Sequence, residues 1–144
     1  MRLRGSARLL AASLMLVAAG PAAADPTATD LESAVTQIPI GAGRFAEGFT
    51  PGPDGAVWFC TLLGGYLGRI DTATYAVTRI PLPQLLAGGH ELVVGSDGAL
   101  WYPEFVTNRA GRYDPRTGEQ REYELPFTFA TENPIMAAGP DGAL

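Results

Sequence analysis

His90 is the only histidine in the chain, and the turn phrase Gly95-Ser96-Asp97-Gly98 separates it from Glu104. Antiparallel pairing about the centre of that turn sets His90 opposite position 103. That is within one residue of Glu104, and a one-residue bulge in the turn makes up the difference. The same construction in the preceding segment sets Glu47 beside Thr61. An imidazole next to a carboxylate can serve as base and orienter, or as base and metal ligand. The bland reading is a surface His–Glu contact of little consequence.

Other chemistries find little material. The chain has no lysine, which removes Schiff-base chemistry and a P-loop. Neither Gly-x-Ser-x-Gly nor Cys-x-x-Cys occurs, and Gly41-Ala42-Gly43 is too short for a phosphate loop. Cys60 is the single cysteine, so no intrachain disulfide forms; it reads as a small apolar filler in a strand. Asp54, Asp97 and Asp141 belong to turns and not to a metal cluster.

The elements that must position His90 and Glu104 come from a repeat. Gly52-Pro-Asp-Gly-Ala-Val-Trp-Phe59 returns as Gly95-Ser-Asp-Gly-Ala-Leu-Trp-Tyr102 and begins again at Gly139-Pro-Asp-Gly-Ala-Leu144, at offsets of 43 and 44 residues. Gly68-Arg-Ile-Asp71 recurs as Gly111-Arg-Tyr-Asp114 with the same step. A period of roughly 40–45 residues with Gly-Asp turns and strand-like runs marks a β-propeller blade. One blade reads as strands over Phe45–Pro51, Val57–Thr61, Tyr66–Ile70 and Val77–Pro81. Trp58 and Trp101 recur in one strand position and read as packing residues between blades. Arg69/Asp71 and Arg112/Asp114 read as side-chain links and turn caps. In the turn Asp114–Gly118 glycine can take the left-handed position; its counterpart Tyr75 makes the earlier turn less ideal.

The expected fold class is therefore all-β, a partial propeller of about two four-stranded blades plus the start of a third. Its expected parts are an outer strand over 35–40, blades over 44–83 and 87–126, and a further start over 130–144. Residues 25–34 read as a linker. The outer strand would finish the last blade of a closed ring and remove two open edges. The third copy breaks off at Leu144, so the chain reads as part of a longer protein whose C-terminal blades complete it. Alone, such a piece is expected to associate through its edges.

Residues 1–24 read as a secretory signal: Arg2, Arg4 and Arg8, the apolar run Leu9–Ala19, then Ala22-Ala23-Ala24 before Asp25. The run is too short for a span of about 20 apolar residues. The expected location is secreted or periplasmic, with no membrane attachment after cleavage. Taking that segment's three arginines from the ten basic residues leaves seven against 15 acidic ones, a net charge of −8. No basic patch for nucleic acid is available.

The phrases Gly-Pro-Asp-Gly-Ala-Val-Trp-Phe, Gly-Arg-Ile-Asp and Ile-Pro-Leu-Pro resemble the repeats of the virginiamycin B lyase (streptogramin B lyase) family of propellers. The resemblance covers nearly all of the chain after residue 24 and implies a parent of about seven blades. It implies elimination at the ester of a cyclic depsipeptide, with Mg²⁺ polarising the ester carbonyl, a histidine removing the α-proton and an alkoxide departing. His90 falls on the histidine position and Glu104, through Trp101-Tyr102-Pro103-Glu104, on that of the Mg²⁺-binding carboxylate. The departures are Glu91 for a glycine, Pro103 for a threonine and Gly88 for an acidic residue. The first repeat carries Glu47 and Thr61 at the two site positions, and the third carries Pro134. The competing expectation is a non-catalytic propeller that binds a small molecule, peptide or protein through its rim. A lactone hydrolase would need a cluster of carboxylates and asparagine at the channel that the sequence does not assemble.

Overall fold

The computed structural model describes residues 11–17, 35–42, 45–62, 64–84, 88–104, 106–126 and 135–144. It is all-β, with no helix among the described residues and hence none long and apolar enough to cross a membrane. The chain divides into two compact units, residues 1–43 and 44–144.

In the first unit, β1 (Ala11–Val17) pairs antiparallel with β2 (Val35–Ala42). The ring-closing partner expected for β2 would come from the C-terminus; here the pairing edge is taken by β1, inside the segment read as a signal. An edge strand offers unpaired N–H and C=O groups, and a second apolar strand satisfies them. The expected linker lies outside the described residues.

The second unit holds two four-stranded antiparallel sheets. The first is β3 (Ala46–Pro51), β4 (Val57–Thr61), β5 (Tyr66–Ile70) and β6 (Val77–Pro81), in that order across the sheet. The second is β7 (Val93–Val94), β8 (Leu100–Glu104), β9 (Arg109–Tyr113) and β10 (Gln120–Glu124), in the same order. These are two blades of a partial β-propeller. Within each sheet every strand pairs with its sequence neighbour, so every connection inside a blade is a hairpin.

The repeated phrase works as a local clamp. Asp54 accepts the indole N–H of Trp58 at 2.8 Å and the Arg69 Nε–H at 2.6 Å. Asp97 repeats this with Trp101 at 3.2 Å and Arg112 at 2.8 Å. One carboxylate thus ties the hairpin turn to strands two and three of its blade. The glycine of Gly-Arg-x-Asp has a different reason. A Cβ on Gly111 would lie 2.1 Å from the Tyr102 ring, and one on Gly68 1.9 Å from the Phe59 ring. The aromatic of the second strand lies over the third, and only a bare backbone leaves it room.

Between the blades, Trp58, Cys60 and Leu67 of the first meet Leu100, Tyr102 and Tyr113 of the second in one buried cluster. The Trp58 and Tyr113 ring centroids are 5.6 Å apart. Tyr75 takes φ 58° where Gly118 takes 75°, so the first blade's outer turn holds a side chain in the left-handed region. A third turn forms at Gly139–Ala143, and its Gly142 carbonyl accepts from Ser96 at 3.1 Å.

The clamp carries a pH dependence. Partial burial opposes ionisation of Asp97, but the Arg112, Ala99 and Trp101 donors outweigh it and hold its pKa at about 2. Its contribution is therefore complete above the unfolded carboxylate range and is lost as pH falls through about 2. The Asp97 side chain is 40% exposed, so solvent screening keeps the effect modest. The urea midpoint of Asp97→Asn is expected below that of the wild type at neutral pH, with the gap closing between pH of about 4 and about 2. A gap that persists unchanged at the lowest pH would rule the ionised clamp out.

Candidate functional site at the inner rim

The hairpin that orients His90 has a three-residue loop. Gly95 N–H bonds the Ala99 carbonyl at 2.9 Å, and Gly98 takes φ 74°. That is the bulge the count needed. The register pairs Val93 with Trp101 and Val94 with Leu100, which projects His90 level with Glu104. The ladder itself stops at Val93, and His90 lies in the loop that enters it.

Three contacts hold that loop. A Cβ on Gly89 would sit 2.2 Å from the Pro103 carbonyl oxygen, and one on Gly88 2.0 Å from that of Thr61. The Cys60 thiol donates to the Gly89 carbonyl at 2.9 Å. Burial pushes that thiol up to about 12, so it stays protonated and able to donate. Cys60 is buried as expected, and it also tethers the segment before His90. The residue before His90 thus touches the residue before Glu104. The two site positions are brought to one place, but no direct bond joins them among the described residues.

The recorded partner of His90 is Glu47 of the first blade: its Nδ1 meets Glu47 Oε2. The side-chain contact of His90 is therefore with Glu47 and not with Glu104, and the expected pairing of Glu47 with Thr61 is corrected. The physical reason is a bulge in β3. The register shifts between Glu47 and Thr50, so Glu47 pairs with Cys60 while Ala46 takes Thr61. Within the bulge, Gly48 at φ 58° lets β3 touch the loop that enters β7, since a Cβ there would lie 2.6 Å from the Glu91 carbonyl carbon and Leu92 nitrogen. The one available signal for this partnership was that Glu47 and His90 occupy the same position of consecutive repeats.

Glu104 ends β8 fully buried, with its Oε2 accepting from the Thr107 hydroxyl at 2.5 Å. Among the described residues its Oε1 has no hydrogen-bond partner, like Tyr102 Oη and Glu122 Oε1. Burial raises the Glu104 pKa and Glu122 adds to the rise, while the Thr107 bond and Arg109 pull it back. Arg109 donates to Glu122 at 2.9 Å. Glu122, on the outer strand, escaped notice because the strand pattern gave no reason to point it inward.

The family model for the Virginiamycin B lyase family matches residues 27–144. The chain belongs to that family. Its similarity extends to solved structures: selenomethionine-substituted virginiamycin B lyase from Staphylococcus aureus, at 29% identity and TM-score 0.59, covering 65% of this chain and 31% of that one. A streptogramin B lyase structure gives 33% identity and TM-score 0.58 over 64% of this chain and 30% of that one. A catalytically inactive histidine-to-alanine variant of the Staphylococcus aureus enzyme with quinupristin gives 27% and 0.60, over 75% and 39%. The chain thus spans about a third of these lyases' length. No curated protein matches it.

Within this virginiamycin B lyase family member, a Mg²⁺ ion implied by the family finds one fitting donor. Glu104 Oε1 is a buried carboxylate oxygen without a hydrogen-bond donor among the described residues, the kind of hard ligand of which Mg²⁺ takes one or two. Among the described residues no group of three or more His, Cys, Asp or Glu side chains converges on a metal position. Gly88, where the family carries a further acid, supplies no side chain.

Proposed function

We propose that this chain is the N-terminal part of an exported, streptogramin B lyase-like propeller that opens an ester-linked cyclic peptide by elimination. The observation that supports the reading is the close backbone approach of Gly89, which precedes His90, to Pro103, which precedes Glu104, in a member of the family. Blades following Leu144 would supply the rest of the site. Secretion or periplasmic export rests on the Arg2–Ala24 signal pattern.

In this mechanism His90 is the general base. It takes the α-proton; the Cα–H electron pair becomes a Cα=Cβ double bond, and the Cβ–O bond breaks. The departing oxygen leaves as a carboxylate, so the alkoxide expected from the resemblance is replaced by a better leaving group. Glu104 would hold Mg²⁺, which when bound supplies Lewis-acid polarisation of the ester. Thr107 fixes the carboxylate's other oxygen and so its orientation. Incubating the complete protein with a streptogramin B and Mg²⁺ should yield a linear product. Saturable binding without ring opening would establish a binding module instead.

A further inference from the structure

Nothing in the repeat logic requires successive blades to carry an imidazole and a carboxylate that meet at the start of their inner strands. Here they do. Glu47 and His90 lie 43 residues apart at the same repeat position, and their side chains are joined Nδ1 to Oε2 while only 30% and 25% exposed. The Gly48 bulge brings β3 into backbone contact with the His90 loop beside Glu47, and the Cys60 and Gly89 contacts hold the other side.

We infer that Glu47 is a positioning residue for His90, selecting the tautomer that leaves Nε2 free to act as base. This deepens the proposed lyase reading and rests on it. A carboxylate only accepts, so the Nδ1 facing it must carry the proton. The lone pair is then confined to Nε2, on the far side of the ring. When Nε2 takes the substrate proton, the imidazolium formed is stabilised by the adjacent Glu47 charge, as carboxylate-oriented histidines are elsewhere. Glu104, one backbone contact away, stays available for the cation.

Comparison with His90→Ala in the complete protein assigns the His90 ring signals. Nitrogen-15 NMR of labelled protein in alkaline buffer reads which ring nitrogen of neutral His90 bears hydrogen. The wild type should show the Nδ1–H form, Glu47→Gln should keep it through its carbonyl, and Glu47→Ala should lose it to the Nε2–H form. Nε2–H in the wild type, or an unchanged Nδ1–H signal in Glu47→Ala, would overturn the inference. The wild-type spectrum decides even if a variant does not fold. These readouts need no turnover, so a failure of the lyase reading shows separately, as absent ring opening. Where ring opening occurs, Glu47→Ala should lower kcat at least about tenfold at nearly constant KM, with Glu47→Gln partly restoring it. An unchanged kcat would also overturn it.

Discussion

His90→Ala should lower the ring-opening rate of the complete protein by about 100- to 10,000-fold, the range a positioned general base supplies. The loss should fall on kcat, because the proton transfer belongs to the transition state. Stability should change little. The His90 side chain is a quarter exposed at the rim, and its ring does not belong to the cluster between the blades. Rates measured by chromatography of substrate and product, alongside melting curves, separate the two effects. A variant that melts normally and still opens the ring at wild-type rate would remove His90 from the mechanism.

Trp58→Ala should have the largest effect on folding, a loss of about 3–5 kcal/mol. The side chain is 2% exposed, packs on Tyr113 across the blade boundary and bonds Asp54. Truncation opens a cavity between blades and removes one of the donors that Asp54 binds. Trp101 is its repeat counterpart in a different setting: only partly buried, stacked on the exposed Tyr123 at 5.4 Å, with a longer bond to Asp97. Trp101→Ala in this chain should therefore cost clearly less, about 1 kcal/mol. Urea unfolding of both variants checks the difference. Equal losses would mean that the tryptophans serve only their own hairpins and not the packing of one blade on the next.

The architecture was legible because the repeated phrase states its own geometry. Gly-x-Asp-Gly marks the turn, tryptophan the strand after it, and Gly-Arg-x-Asp the strand that must pass under an aromatic ring. Counting from the turn also gave the hairpin register once the loop's bulge was included, and that register, continued past Val93, sets His90 level with Glu104. Counting failed where the ladder broke. The bulge at Gly48 moved Glu47 one residue in register, and the loop before Val93 freed His90 from its own hairpin. A pairing rule that works within one sheet says nothing of side chains meeting between sheets, which is how Glu47 reached His90. The pairing of β1 with β2 was hidden for a similar reason, since an apolar run with a basic start reads as a signal whatever strand it can pair with.

The central claim is elimination at a rim built from His90 and Glu104, and product mass tests it most directly. Elimination only rearranges bonds, so the linear product of a streptogramin B treated with the complete protein and Mg²⁺ should have the mass of the intact ring and carry a new carbon–carbon double bond. A product heavier by one water would mean hydrolysis, and no linear product at all would mean that this propeller does not open the ring; either result contradicts the account.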